Sequence, residues 1–321
     1  MINSSSFTSA STIPAKLFCD PDLVPAISKK HIKPVHIQVN PTNRCPLNCS
    51  FCSCKNRNKD LELPIDTLIN ATEKFIKLGT KAVTITGGGD PLAYEHLSDY
   101  IRYLHSKDVK VGFVTNGVLF KQTDTDFFKY VTWCRVSLSD EYKLINPKLE
   151  HIVSNTPIDW SFSYVLCPST KIENLVAAIN FANDHKFTHV RIVDDILNTT
   201  VSKIDTIRDQ LHHLTDDKIV IYQGRKTYTR GHKRCLISLL KPNIGPNGYI
   251  YACCGIQYSK NPPSLDFSIQ DAMGGLDDIE RLWKNQDSYN GSDCEKCYYS
   301  DYNNVLNTIW DSADLNHKEF I

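Results

Sequence analysis

The chain has 321 residues, of which 41% are hydrophobic and 22% are charged, as is ordinary for a folded soluble protein. Its 36 basic and 36 acidic residues balance, so composition alone favours neither a nucleic-acid-binding nor a membrane-surface protein. The amino terminus lacks the basic and apolar regions of a secretory signal, and no apolar run is long enough to cross a bilayer, so we expect a cytoplasmic protein.

The first 33 residues, rich in serine and threonine at the start, are interpreted as a tail and a lead-in segment. From residue 35, short β-branched runs alternate with longer amphipathic stretches, which is the pattern of parallel βα units. Strands are predicted at 35–39, 82–86, 110–115, 131–138, 160–166 and 189–193. Helices are predicted at 64–78, 95–106, 124–130, 149–154, 172–185 and 201–214. Six such units predict an α/β fold with a partial (βα)6 barrel of TIM type, whose active groups gather where strands end.

After about residue 220 the alternation stops. Residues 225–234 form a basic, turn-like connector, and a stretch around 242–248 rich in glycine, proline and asparagine predicts a β-hairpin. We therefore divide the chain into the lead-in at 1–33, a barrel domain at 34–220 and a small cysteine-rich domain at 221–321. The last part is predicted to contain the hairpin, a helix and a carboxy-terminal tail.

Three of the twelve cysteines follow the first predicted strand with the spacing C-x3-C-x2-C, at Cys45, Cys49 and Cys52. Three thiolates on one loop are one too few to complete a tetrahedral zinc site or to saturate a 4Fe–4S cluster, so a metal centre here keeps an open position. This spacing, with Phe51 before the third cysteine, resembles the signature loop of the radical S-adenosylmethionine (radical SAM) family. A zinc site that recruits Cys54 is the alternative.

The resemblance implies that the three cysteines bind a 4Fe–4S cluster, with its fourth iron left for S-adenosylmethionine (SAM). In that family, reductive cleavage of SAM produces a 5′-deoxyadenosyl radical, which takes a hydrogen atom from the substrate while the protein aims and shields it. The implied partners are a small-molecule or peptide substrate and an external one-electron reductant of the flavodoxin or ferredoxin type.

Three further motifs follow strands in the order that this resemblance implies. The segment after the second strand resembles the family's GGEP motif, with aspartate in place of glutamate, at Gly87, Gly88, Gly89, Asp90 and Pro91. Thr115 and Asn116 begin a Thr-Asn-Gly turn after the third strand, and Ser137 ends the fourth. Each motif alone also fits an ordinary turn. The resemblance implies that these residues contact SAM, and Lys143 is the nearest cation for the SAM carboxylate.

A second group of cysteines lies near the carboxy terminus, at Cys235, Cys253, Cys294 and Cys297. With Gly248 five residues before Cys253, the pattern resembles the twitch domain, a shortened SPASM extension of some radical SAM enzymes. Four thiolates would saturate a 4Fe–4S cluster, which could then transfer electrons but not bind substrate. No cysteine follows Cys297, so one such cluster is implied. A structural four-cysteine zinc site and buried free cysteines are the alternatives.

A saturated second cluster is most useful when a substrate radical must lose another electron. The resemblance is to single-auxiliary-cluster enzymes that oxidise a secondary alcohol to a ketone, so we expect a dehydrogenase-like oxidoreductase. Arg191, Asp194 and Asp195, at the end of the sixth strand, are candidates for the catalytic base, although they also fit ordinary strand-end charges.

Two other functions stay open. The first is a radical SAM maturase of a peptide or another natural product. Many of these carry an amino-terminal leader-binding domain, for which the segment before residue 35 leaves no room. The second, from another class, is a non-catalytic Fe–S or zinc protein that binds a partner through the connector at 225–234.

Overall fold

The computed structural model describes residue 17 and residues 19–121, 125–142, 145–198, 204–224 and 229–312. Its strands are β1 His36–Val39, β2 Ala82–Ile85, β3 Lys110–Thr115, β4 Trp133–Leu138, β5 Asp159–Leu166, β6 His189–Asp194, β7 Val220–Gln223, β8 Asn243–Ile244, β9 Tyr249–Tyr251 and β10 Ala272–Gly275.

The α-helices are α1 Leu23–Ser28, α2 Ile65–Leu78, α3 Leu97–Ser106, α4 Leu149–Asn155, α5 Ile172–Asp184, α6 Ile204–Leu214, α7 Ile237–Leu240, α8 Ile256–Ser259, α9 Ile279–Asn285 and α10 Ser300–Asp311. Short 3₁₀ helices occupy Pro91–Ala93, Val118–Lys121, Asp126–Tyr130, Ile269–Asp271 and Leu276–Asp278. None of the helices in the described part of the chain is both long and apolar enough to span a membrane.

The ten strands form one sheet in the order β10-β9-β8-β1-β2-β3-β4-β5-β6-β7. Strands β1 to β7 are parallel neighbours in chain order, so their carboxyl ends all lie at one edge of the sheet. Parallel strands need crossover connections, and helices α2 to α6 lie within several of them. The predicted α/β fold with a barrel-type, mostly parallel sheet is confirmed.

The sheet extends further than the six predicted strands. β7 pairs in parallel with β6, so the predicted boundary between residues 220 and 221 falls inside a strand of the barrel sheet. At the other edge, β8 pairs in parallel with β1, and β9 and β10 add to it as antiparallel neighbours. The carboxy-terminal part of the chain is therefore joined to the barrel by main-chain hydrogen bonds.

The observed elements differ from the predicted ones mainly at their ends. The helix predicted at 124–130 is the 3₁₀ helix Asp126–Tyr130, and residue 124 lies outside the described residues. Residues 201–203 of the sixth predicted helix, residues 225–228 of the connector and most of residues 1–18 also lie outside them. The lead-in segment contains α1, which contacts α10.

Helix α2 illustrates how local sequence and core packing agree. Its buried face consists of Leu68, Ala71, Thr72 and Phe75, spaced three or four residues apart as a helix facing a core requires. Gly79, at a φ of 111°, ends the helix in the left-handed conformation that glycine adopts without a steric cost. The helix therefore turns one mostly apolar face to the core.

Candidate active site

One cavity of about 330 Å³ lies at the carboxyl ends of strands β1 to β6, and we name it the cofactor cavity. Twelve of the predicted site residues line it: Cys45, Cys49, Phe51, Cys52, Gly87, Gly88, Gly89, Asp90, Thr115, Asn116, Ser137 and Asp194. Pro91 and Asp195 are not among its lining residues, and Lys143 lies outside the described residues. Residues separated by about 150 positions in the sequence thus meet because parallel strands end at one edge.

The loop that carries the first three cysteines is held by Arg57, which is 6% exposed. Its guanidinium donates hydrogen bonds to the carbonyl oxygens of Asn43, Cys54 and Leu47 at 3.0, 2.8 and 3.3 Å. It also lies 3.5 Å from Cys52 Sγ. One buried cation therefore fixes the backbone of the loop and faces one of its thiols, a role that no sequence motif indicated.

Burial changes the acidity of these thiols. Removal from water raises the pKa of Cys45 and raises that of Cys49 to about 12, because a buried thiolate is poorly solvated. The neighbouring Cys52 adds to the rise at Cys49. A metal centre binds thiolates, so its binding here must release protons.

Asp90 joins the loop after β2 to the loop after β3. Its carboxylate, 2% exposed, accepts hydrogen bonds from Leu92 N at 2.9 Å, Thr115 Oγ1 at 2.9 Å and Asn116 N at 2.7 Å. Burial raises the pKa of Asp90, and these hydrogen bonds oppose the rise. The side chains of Asp90 and Thr115 are therefore hydrogen-bonded to each other. The Asn116 side chain faces the cysteine loop instead, with Nδ2 3.6 Å from Cys45 Sγ.

The glycines at 87–89 form a floor that no side chain could occupy. A Cβ on Gly88 would lie 1.9 Å from Asn43 Oδ1, and one on Gly89 would lie 2.0 Å from the Arg44 carbonyl oxygen. Gly89 N also donates to the Thr42 carbonyl at 3.0 Å. The glycine loop thus packs directly on the chain that leads into Cys45, with its backbone exposed to the cavity.

Glu141 is another contributor that the motifs did not reveal. Its carboxylate accepts hydrogen bonds from Ser50 N at 2.8 Å and from the Ser50 hydroxyl, so it ties the cysteine loop to the loop after β4. The adjacent Tyr142 lines the cofactor cavity and donates to the Ser137 carbonyl at 2.9 Å. In the sequence, Glu141 is marked only by its position directly after Asp140, which does not indicate a contact with Ser50.

The four carboxy-terminal cysteines line a separate small cavity of about 20 Å³, which we name the cysteine cavity. Short main-chain contacts position them: Cys297 N donates to the Thr229 carbonyl at 2.9 Å, and Cys235 N donates to the Tyr289 carbonyl at 3.1 Å. Asn303 Nδ2 lies 3.6 Å from Cys235 Sγ. Burial raises the pKa of Cys235 to about 12. These cysteines, 62 residues apart at most, meet only in the fold.

A third cavity of about 540 Å³, the barrel cavity, is lined mostly by residues of the strands and adjoins each of the other two. Val114 and Tyr258 line both it and the cofactor cavity, whereas Tyr298 and Tyr299 line both it and the cysteine cavity. Its lining includes Arg191, which is thereby separated from Asp194 in the cofactor cavity, and Cys254. Cys253 therefore groups with the other three cysteines and its neighbour Cys254 does not.

The chain contains a radical SAM domain, since residues 39–140 match the sequence model of the radical SAM superfamily. Its cofactors are accordingly a 4Fe–4S cluster and SAM. Among similar proteins, the GTP 3′,8-cyclase of Helicobacter pylori is 33% identical over 98 residues, which are 28% of this chain and 30% of that protein. The radical SAM cyclopropyl synthase TigE of Paramaledivibacter caminithermalis is 23% identical over 270 residues, 68% of this chain and 57% of that enzyme.

The fold is shared with SuiB from Streptococcus suis, whose structure was solved with SAM bound. The two structures agree with a TM-score of 0.62 at 16% identity, over 88% of this chain and 74% of SuiB. The chain spans less than a third of the cyclases that it matches.

The residues present fit the cofactors of this domain. Three thiols face one cavity beside a glycine floor, and a guanidinium and an amide nitrogen lie near their sulfur atoms, as suits sulfur ligands of an Fe–S cluster. In the described part of the chain, no three His, Cys, Asp or Glu side chains are close enough, as they stand, to hold a single metal ion. The fit to a cluster therefore rests on the chemistry of the three thiols, Cys45, Cys49 and Cys52, which are the usual ligands of Fe–S clusters.

Proposed function

We propose that this radical SAM enzyme removes a hydrogen atom, and then one electron and one proton, from an organic substrate in the barrel cavity. The observation that carries this proposal is the position of that cavity, which shares Val114 and Tyr258 with the cofactor cavity and Tyr298 and Tyr299 with the cysteine cavity. A substrate there would lie between a source of radicals and a possible electron acceptor.

In this proposal Cys45, Cys49 and Cys52 hold the first cluster, and the glycine loop, Phe51, Asn116 and Ser137 border SAM. When bound, the cluster and SAM supply a 5′-deoxyadenosyl radical through one-electron cleavage of SAM to methionine. On one side of this cavity Gly88 and Gly89 pack against the chain before Cys45, so their backbone forms a fixed wall next to the cofactor.

Asp194 is our choice for the group that takes the substrate proton. It is 7% exposed and lines the cofactor cavity, whereas Asp195 lines neither large cavity and accepts a hydrogen bond from Leu197 N at 2.8 Å. Arg191 keeps its proton at any physiological pH, so it cannot serve as the base.

The four cysteines of the cysteine cavity would hold a second 4Fe–4S cluster, whose chemistry there is the uptake of one electron. We assign them to a small auxiliary domain of twitch type that follows the barrel domain; of the predicted ranges 34–220 and 221–321, the boundary moves to the end of β7 at Gln223. All twelve cysteines are free thiols, which supports a reducing, cytoplasmic setting with a flavodoxin or ferredoxin as the electron donor.

Anaerobic assays of reconstituted protein test this function. We expect Cys49→Ala to abolish formation of 5′-deoxyadenosine, and Cys294→Ala to retain it while losing roughly the iron of one cluster, about four atoms. Cys19→Ala, at an exposed cysteine, is the matched control and should behave like the parent chain. Parent protein that holds iron but makes no 5′-deoxyadenosine would show that the chain is not such an enzyme.

Modification of a peptide or another natural product is the second candidate. It is supported by the similarity to TigE, named a cyclopropyl synthase, which extends over 270 residues. Mass spectrometry separates the candidates, because oxidation of a small alcohol removes two hydrogens from a free metabolite, whereas a maturase changes the mass of a peptide.

A further inference from the structure

Basic side chains dominate the lining of the barrel cavity. They are Lys81, Lys110, Arg135, Arg191 and Lys241. Among the described residues that line this cavity, none is an aspartate or a glutamate. A cavity with several cations and no carboxylate of its own has a positive potential, which attracts anions.

The cations fall into an outer and an inner set. Lys81 and Lys110 are outer, with side chains 65% and 71% exposed, and they pair with Asp20 and Asp108 at 3.0 and 3.8 Å. Their charges are thus partly compensated outside the cavity. The inner set consists of Arg135 and Arg191 on β4 and β6, and Lys241, which is 9% exposed.

Neutral groups are among the partners of the inner cations. Arg191 donates to Ser163 Oγ at 2.9 Å, and Lys241 Nζ donates to the Tyr299 hydroxyl at 3.4 Å. Arg135 lies over the ring of Trp133 at 5.4 Å, and within the described chain its buried Nε has no hydrogen-bond partner.

The two arginines share one neighbourhood inside the sheet. Arg135 pairs in register with Ser161, which pairs with His189, and Ser163 pairs with Arg191. Both arginines contribute to lowering the pKa of His189, after the larger effect of burial. Burial lowers the pKa of Arg135, because a guanidinium group held away from bulk water is costly to keep charged unless an anion offsets the charge.

We propose that the barrel cavity binds the substrate by an anionic group, a carboxylate or a phosphate, which Arg135 and Arg191 contact with Lys241 nearby. Guanidinium groups donate paired hydrogen bonds that match the oxygens of both anions. The volume of about 540 Å³ suits a small organic molecule. This assignment rests on the proposed function, whose substrate class it names: the anionic end is anchored in the barrel, and the rest extends toward Val114, Tyr258 and the cofactor cavity.

Isothermal titration of the reconstituted holoenzyme with inorganic phosphate, and separately with succinate, tests the anion site. We expect one probe to bind the parent chain, and to bind Arg135→Gln or Arg191→Gln at least tenfold more weakly. Arg102→Gln is the matched control because it removes one exposed cation on α3, whose partner is Asp99 at 3.6 Å, and it should bind like the parent. Preference for phosphate or for succinate identifies the anion.

The proposal is overturned if the folded parent chain binds neither probe, or if both arginine variants bind as tightly as the parent. Circular dichroism checks the fold of each variant, and Lys241→Met replaces any that does not fold. A chain that makes 5′-deoxyadenosine without binding either anion would refute this inference alone. Anion binding without 5′-deoxyadenosine would refute the proposed function instead.

Discussion

Arg57 and the glycines at 87–89 do the same work at the residue scale, because both fix backbone around the cofactor cavity. The Arg57 guanidinium donates hydrogen bonds to three carbonyl oxygens around the cysteine loop. The glycines allow two loops to touch without side chains between them. Arg57 and the three glycines can therefore shape the cavity without contacting a substrate.

Replacing Arg57 by glutamine should therefore loosen the cysteine loop. The shorter side chain cannot reach the carbonyls of Asn43, Leu47 and Cys54 together, so we expect a loss of about 3 kcal/mol in the free energy of unfolding. Reconstituted iron should fall as well. Urea unfolding and iron analysis measure both, with Arg102→Gln as the control for loss of one positive charge. Full iron content and unchanged stability in the Arg57 variant would contradict this role.

Gly89→Ala tests the glycine floor. The new methyl group would lie 2.0 Å from the Arg44 carbonyl oxygen, which is backbone and cannot rotate away, so the two loops must separate. We expect SAM affinity to drop at least tenfold, measured by equilibrium dialysis. Gly275→Ala is the control, because its methyl group would meet its nearest neighbour at 3.9 Å. Equal SAM affinity in both variants would be incompatible with a cofactor resting on this floor.

At the element scale, helix α9 joins the carboxy-terminal part of the chain to the barrel. Its Trp283 is 2% exposed and donates from Nε1 to the Leu239 carbonyl on α7 at 2.9 Å. The ring also meets Phe75 of α2 edge-on, with centroids 5.0 Å apart. One side chain thus packs three helices together that are distant in the sequence.

Trp283→Ala should destabilise both parts of the chain together. Removing a buried tryptophan leaves a cavity and an unpaired carbonyl, which costs about 3–5 kcal/mol. Because β8 pairs with β1, we expect one unfolding transition at lower urea, seen alike by far-ultraviolet circular dichroism and by tyrosine fluorescence. The control Ile269→Ala, at a side chain that is 59% exposed, should leave the free energy of unfolding nearly unchanged. Two separated transitions would mean that the parts unfold independently.

At the scale of the whole molecule, the sheet encloses charge as well as apolar side chains. His189 on β6 is fully buried, and burial together with the charges of Arg135 and Arg191 lowers its pKa to about 3. It therefore stays neutral in the folded chain at pH values where the unfolded chain takes up a proton.

This difference predicts how stability depends on pH. An unfolded histidine titrates near pH 6.5, so the stabilising effect is complete above that pH and declines as the pH falls toward 3. The slope reaches about 1.4 kcal/mol per pH unit. Urea unfolding at pH 7.5, 6.0 and 5.0 should show a shallower decline for His189→Gln than for the parent or for exposed His151→Gln, all at equal iron content. Equal dependence of the free energy of unfolding on pH in all three chains would refute this role of His189.

The sequence by itself determined the parts that depend on neighbouring residues. Alternation of β-branched and amphipathic runs predicted six of the seven consecutive parallel strands β1 to β7. Strand β7 carries the same β-branched signal, in Val220 and Ile221, and was missed because the predicted domain boundary at residue 220 divides it. The spacing of Cys45, Cys49 and Cys52 and the run 87–91 identified the radical SAM domain. The assignment of individual ligands stays a prediction.

Only the tertiary structure decided which distant residues meet. It grouped Cys253 with Cys235 and turned Cys254 into the barrel, a choice that adjacent positions in a sequence cannot settle. It placed Arg57 against the cysteine loop and brought Arg135 of β4 and Arg191 of β6 to one cavity. Local pattern specifies elements, whereas contacts between elements depend on register and packing across the whole chain.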